Sequence, residues 1–218
     1  MTQWKRATIL PLAKVNSPCV PADYRPISIT SVLSRIIERY VVKSFIYPAL
    51  IVPPPFLRFV DQFAFRPTGS CTAALISLLQ KVTALLATNE CVHIIALNFS
   101  KAFDSVRHVT IMDNFAQLEM PDDVYNWIVD FFHEHMHCTK FGYDTSSNVN
   151  INASVIQGSA IGPASFVVGM SDLTTTHANN VMSKYADDLT LIIPSSHSHT
   201  CKSEIAHIKQ WPRARTSF

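Results

Sequence analysis

Val181-Met182-Ser183-Lys184-Tyr185-Ala186-Asp187-Asp188-Leu189-Thr190-Leu191-Ile192-Ile193 is the stretch whose reading decides the rest. An apolar strand runs into two adjacent carboxylates, and a second apolar strand, Leu189 to Ile193, runs out. Neighbouring acids at a turn repel each other and cost free energy unless cations sit between them. Hard divalent ions such as Mg²⁺ take oxygen ligands and bridge phosphates, so the hairpin has the makings of half a metal site. On spacing alone a plain surface hairpin is the better reading. The remainder of the chain reverses that order.

The chain has 218 residues, enough for one large domain or two small ones with a real core. Charged residues make up 16% against roughly 25% in ordinary soluble domains, and with 48% hydrophobic residues this implies surface meant to be covered. Net charge is +2, but residues 1–90 carry ten Lys/Arg against four Asp/Glu while residues 91–195 carry four against eleven. A basic half beside an acidic half suits a protein in which one part gathers phosphate and the other gathers metal. The cysteines (Cys19, Cys71, Cys91, Cys138, Cys201) show neither CxxC pairs nor Cys/His zinc spacing. That fits a reduced intracellular protein, cytoplasmic or nuclear, rather than a secreted disulfide framework. His197, His199 and His207 read as solvated rather than metal-binding. No signal peptide is apparent, and the apolar run 41–57 is broken by Lys43, Pro48 and Pro53-Pro54-Pro55, so no membrane span is expected.

Along the chain, residues 4–12 read as a strand and loop, and Asp23 to Ser28 as an extended element because the residue before Pro26 avoids the helical region. Val32, Leu33, Ile36, Ile37, Tyr40 and Val41 fall on a helical face, with Ser31 as its cap. Leu75, Leu78, Leu79, Val82, Leu85 and Leu86 mark a second helix. The continuous apolar run Val92 to Leu97 predicts a strand buried on both faces. Helices are expected near Ala102, from Pro121 (apolar stripe Val124, Trp127, Ile128, Phe131, Phe132) and after Gly158, with a polar hairpin over 144–150. The end is polar, with one weak helix at 203–210.

Five segments stand in order: Asp23-Tyr24-Arg25-Pro26-Ile27-Ser28, Phe65-Arg66-Pro67-Thr68-Gly69-Ser70, Leu97-Asn98-Phe99-Ser100-Lys101-Ala102-Phe103-Asp104-Ser105-Val106, Gln157-Gly158-Ser159-Ala160-Ile161-Gly162-Pro163 and Tyr185-Ala186-Asp187-Asp188. Over residues 4–195 this resembles the reverse transcriptase domain of non-LTR (LINE-type) retrotransposons. The resemblance implies an α+β right-hand polymerase fold: fingers over residues 1–90, a palm of antiparallel sheet packed on helices over 91–195, and a low-information tail over 196–218, with no thumb. It implies nucleotidyl transfer from deoxynucleotides to a DNA primer on an RNA template, assisted by two Mg²⁺ ions about 3.5–4 Å apart. Asp187 and Asp188 would be metal-binding carboxylates, with Asp187 favoured as the direct ligand. Phe103 would pack beneath the incoming sugar and exclude a ribose 2′-hydroxyl, a role compatible with being a core aromatic. Gln157, Gly158 and Ser159 would lie along nucleotide and template, or form a helix-start turn. Arg25 and Arg66 would contact phosphates or template, or be solvated.

The main departure is Asn98, where the family carries the third metal-binding aspartate. An asparagine keeps a ligating oxygen and removes one charge, which should weaken metal binding and transition-state support together; losing a single oxyanion donor costs roughly 10²–10³ in rate elsewhere. Asp104, six positions on, is no obvious substitute. Ser154-Val155-Ile156 replaces the family's Gly-x-Pro before Gln-Gly, and the chain runs about thirty residues past Asp188. A truncated, decayed element is therefore expected, with its thumb or endonuclease region belonging to a longer polyprotein. Two function classes follow: an RNA-directed DNA polymerase domain of low activity, or a pseudo-polymerase remnant that at most binds nucleic acid. A helical interaction module unrelated to polymerases would need the ordered segments to be coincidence. Nucleic-acid binding through the basic fingers should weaken steeply between low and moderate salt in an anisotropy titration; a flat response would remove the fingers from that role.

Overall fold

The strands of this chain sort into two sheets, each made of hairpins of neighbouring strands joined to one further strand by a pairing across a long stretch of sequence. The computed structural model describes residues 2–99, 103, 106–151, 155–156 and 158–214. Strands are numbered in chain order as β1 (Arg6–Ala13), β2 (Tyr24–Ile29), β3 (Val92–Asn98), β4 (Met136–Phe141), β5 (Asp144–Thr145), β6 (Val149–Asn150), β7 (Val181–Tyr185) and β8 (Asp188–Pro194). Helices are α1 (Val32–Val41), α2 (Cys71–Leu86), α3 (His108–Phe115), α4 (Asp122–Phe132), α5 (Gly162–Gly169) and α6 (Cys201–Ala214).

The first sheet runs β2-β1-β4-β5, with β6 also on β4. β1 and β2 are antiparallel, Thr8 opposite Ile29 and Ala13 opposite Tyr24. β4 joins β1 in parallel, Arg6 opposite Met136. The residues 144–150 expected as a polar hairpin instead lay β5 and β6 each along β4, and so belong to the sheet begun by residues 6–29. The second sheet, β3-β8-β7, is antiparallel and carries the Asp-Asp turn. α2 lies against all three of its strands, and Ile111, Phe115, Ile128 and Phe166 of α3, α4 and α5 are fully buried in one core cluster with Leu191 and Ile193 of β8.

Two expectations need correction. The run Val92 to Leu97 forms a strand but is not buried on both faces: every residue of β3 is at least partly exposed, Ile94 at 53%. The reason is that β3 is the edge of its sheet, hydrogen-bonded to β8 alone among the described residues. The apolar stripe of α1 also faces outward. Val32, Leu33, Ile36 and Tyr40 are exposed while Ser34, Glu38 and Val41 are buried. Glu38 goes in because its carboxylate accepts hydrogen bonds from the Ala160 and Ile161 amides (2.6 and 3.2 Å) and from the Ser34 hydroxyl (2.8 Å). A buried carboxylate with such donors is tolerated; an unpaired one is not. Ser31 sits at the N-cap of α1 without a side-chain cap, whereas Ser70 Oγ does cap α2, accepting from Ala73 N at 3.0 Å.

After α1, a π-helical turn (Val42–Ile46) and a single helical turn at Tyr47–Ala49 precede the prolines 53–55. The helix expected near Ala102 falls on residues that are largely outside the described set; Phe103, the one described there, is helical. No helix among the described residues is long and apolar enough to cross a membrane. All the cysteines are free thiols.

The last segment folds rather than trailing. α6 is longer than the weak helix expected, and it buries Glu204 and Ile208 and sets Trp211 against Phe99 at the end of β3 (centroids 6.1 Å apart). Glu204 accepts from the Thr176 and His177 amides (3.1 and 2.9 Å) and from Asn180 Nδ2 (2.9 Å), tying α6 to the loop before β7. Burial pushes its carboxyl up, but the hydrogen bonds from Asn180, Thr176 and His177 outweigh this and hold it below the ordinary value. Glu204→Ala should lower unfolding free energy by at least about 2 kcal/mol near neutral pH, because buried donors lose their acceptor. Because the folded pKa is depressed, this contribution is present above the unfolded carboxylate value of about 4.3 and is lost as pH falls through the folded one. Urea titrations of both proteins should therefore converge in acid.

Candidate active site

The Asp-Asp turn is built by pairing. Tyr185 stands opposite Asp188, leaving Ala186 and Asp187 as a two-residue loop between β7 and β8. Ala186 takes φ +53°, the left-handed region that hairpins of this length demand and that glycine usually fills. On the other side of β8, Asn98 is the direct partner of Asp188, and the Phe99 amide donates to the Asp187 carbonyl at 3.3 Å. Directly opposed residues project to the same face with Cβ atoms about 4.5–5.5 Å apart. Asn98 and Asp188 thus share one face at the strand ends, with Asp187 beside them in the turn.

Asp187 opens onto a cavity of about 320 Å³, whose other walls are Arg25, Phe103, Val155, Ile156, Gly158 and Pro163. Arg25 arrives on β2, from the first sheet, and the remaining walls come from residues 103–187. Phe103 stacks on the buried Phe166 (centroids 4.2 Å, planes 17° apart) and meets Phe65 edge-on at 6.0 Å. Its ring is both core and cavity wall. Gly158 has φ +114°, and a Cβ there would lie 2.3 Å from the Ser28 carbonyl oxygen. Only glycine lets this loop lie against β2.

Four of the residues singled out from sequence, Arg25, Phe103, Gly158 and Asp187, therefore converge on one cavity. Asp188 and Asn98 stand next to it at the sheet end. Ser159 is buried, its hydroxyl accepting from the Gly162 amide at 2.9 Å, so it caps the start of α5. Arg66 donates to the carbonyls of Phe59 and Gln62, stitching its own loop together. Burial pushes its guanidinium down, and Asp61 opposes this. Gln157 and Asp104 lie outside the described residues.

Sequence reasoning missed the residues that hold this site in place. Lys184, inside β7, is fully buried; its ammonium donates to the Met170 carbonyl (3.0 Å) and pairs with Asp61 at 3.4 Å. Burial pushes the Lys184 pKa down, and Asp61 opposes this by charge and hydrogen bond. The signal was available: Lys184 in an apolar strand and Glu38 in an apolar helix are polar groups at core positions, which must have partners.

The oxygen donors at the turn suit a hard divalent cation in kind. They are two carboxylates and an amide, and among the described residues no cluster of three or more His, Cys, Asp or Glu could hold a metal. Two adjacent carboxylates and a neighbouring amide are oxygen donors of the hard type, with no third carboxylate beside them among the described residues.

A family model described as Reverse transcriptase (RNA-dependent DNA polymerase) matches residues 12–216. The chain is 25% identical over 224 residues to the Probable RNA-directed DNA polymerase from transposon X-element of Drosophila melanogaster, covering 97% of this chain and 24% of that protein. It is 27% identical over 203 residues to the RNA-directed DNA polymerase from mobile element jockey of the same organism, covering 88% and 21%. It thus spans about a quarter or less of these relatives' length. Among solved structures, apo telomerase from Candida tropicalis, truncated from its C-terminal domain, gives a TM-score of 0.66 at 10% identity over 94% of this chain and 47% of that one. The RNA-dependent RNA polymerase of a human picobirnavirus (an insertion-loop deletion mutant) gives 0.55 at 13% identity, over 93% and 39%. The shared fold is the right-hand polymerase fold, α+β in class. Gly158→Ala should cost more than about 1 kcal/mol, since the new side chain meets both a forbidden φ and a carbonyl; urea unfolding measures it.

Proposed function

Because this chain belongs to the reverse transcriptase (RNA-dependent DNA polymerase) family, we propose that the cavity at the Asp187 turn is a nucleotidyl-transfer site that receives a deoxynucleotide opposite an RNA template and beside a DNA primer. The observation that carries this reading is the convergence of Arg25, Phe103, Gly158 and Asp187 on one cavity from both halves of the chain. Arg25 supplies positive charge where a triphosphate would enter. Phe103, backed by Phe166, presents a rigid ring beneath the sugar, so a 2′-hydroxyl would meet carbon instead of solvent. Gly158 keeps the backbone close to β2 and the cavity open toward it. Arg66, Ser159 and Glu38 act by holding these walls, each through its own hydrogen bonds. Asp187, Asp188 and the Asn98 amide oxygen would hold Mg²⁺. When bound, such ions activate the primer hydroxyl and neutralise the departing pyrophosphate.

A second reading is favoured by one observation. Asn98 stands directly opposite Asp188, so a charge is missing at the face where the cations would sit. On that reading the chain binds nucleic acid and transfers nucleotides poorly or not at all. Primer extension on an RNA template with Mg²⁺ is expected to be undetectable for the chain as it stands. Asn98→Asp should raise divalent-cation affinity and bring extension up by on the order of 10²-fold or more, and Asp187→Ala in that background should abolish it. Unchanged cation affinity in Asn98→Asp would place the deficit elsewhere than the carboxylate count.

A further inference from the structure

We propose that Gln62 is a positioning residue that sets the aim of Asp187 by holding the left-handed turn at Ala186. The proposal rests on the reading of Asp187 as a metal-binding carboxylate.

Residues 61–63 lie alongside β7 as a short parallel bridge centred on Gln62 and Lys184. The Lys184 amide donates to the Asp61 carbonyl at 2.6 Å, and the Phe63 amide donates to the Lys184 carbonyl at 2.9 Å. The Gln62 side chain, 3% exposed, reaches past this bridge to the turn. Its Oε1 accepts from the Ala64 amide at 3.0 Å and from the Ala186 amide at 3.2 Å. Two N–H donors converge on that atom, so it must be the oxygen of the side-chain amide. The Nε2 has no hydrogen-bond partner among the described residues, where only the acceptor end of this side chain is used.

The position of the bond is what matters. Ala186 carries a backbone conformation that a Cβ disfavours, at a cost of roughly 1–3 kcal/mol, and such conformations persist only where the surroundings over-determine them. Gln62 supplies that determination on the residue immediately before Asp187. The Asp187 carbonyl is held from the opposite side by the Phe99 amide. The metal-facing residue is thus fixed on both flanks, once from the fingers loop and once from the edge strand. Groups that orient metal ligands from behind typically change metal affinity 10- to 100-fold when removed.

The test titrates the full chain with Mn²⁺ alone, following the free-ion electron paramagnetic resonance signal. Gln62→Met keeps the shape and removes the acceptor, and affinity should fall on the order of tenfold. Gln62→Glu keeps the acceptor, and affinity should stay within about threefold of the parent. Ser70→Ala, which removes the α2 cap, should lower the melting temperature with Mn²⁺ binding unchanged, separating positioning from general destabilisation. Should Gln62→Met not fold, adding Ala186→Gly should restore folding, because glycine accepts the positive φ without the acceptor; an equally unfolded double variant would overturn the proposal. Parent-like affinity in Gln62→Met, or equal losses in Gln62→Met and Gln62→Glu, would also overturn it while Asp187→Ala still loses binding. If Asp187→Ala binds Mn²⁺ like the parent, the metal-site reading falls, and the role of Gln62 with it.

Discussion

A buried ammonium group is costly unless its charge and its donors are met, and Lys184 meets that demand with one carboxylate and one carbonyl. Its side chain goes inward from β7 to Asp61 and the Met170 carbonyl. Satisfying it draws the loop of residues 59–66 onto the hairpin strand, and with it come Gln62, Phe65 and Arg66. Phe65 then meets Phe103, which lines the cavity. Glu38 repeats the device on α1, where a buried carboxylate accepts from the Ser34 hydroxyl and from the Ala160 and Ile161 amides just before α5. Two buried charges thus join the first part of the chain to the later strands and helices.

The end of the sheet at the Asp-Asp turn obeys the opposite logic. Asp187 and Asp188 are not neutralised by any ion pair among the described residues. Adjacent anions left in this state favour a cation, which is the electrostatic basis of the proposed site. Asn98, the direct partner of Asp188, adds no further negative charge there.

What could be read from the residues was contiguous. The Asp-Asp turn, the Gly158 loop, the Phe103 segment and the Arg25 strand each declare themselves within a few positions, because turn chemistry and strand periodicity are short-range. Burial did not declare itself. The apolar run of β3 looked interior but lies at a sheet edge, and the stripe on α1 looked like a core face but points outward. Hydrophobicity says that a surface is suited to burial, not that a neighbour is there to bury it. The parallel pairing of β4 with β1 joins positions about 130 residues apart, beyond the reach of any local pattern. The helix α6 was underestimated because its buried contacts, through Glu204, are polar and depend on a distant loop.

Local chemistry thus declares the adjacent carboxylates, the turn that presents them and the ordered segments of the reverse transcriptase family. It also declares the asparagine at position 98, since residue identity does not depend on folding. The assembly of Arg25, Phe103, Gly158 and Asp187 around one cavity, and the holding of Ala186 by Gln62, belong to the folded chain alone. Those residues come from segments separated by 29 to 162 positions. No stretch of sequence contains both partners.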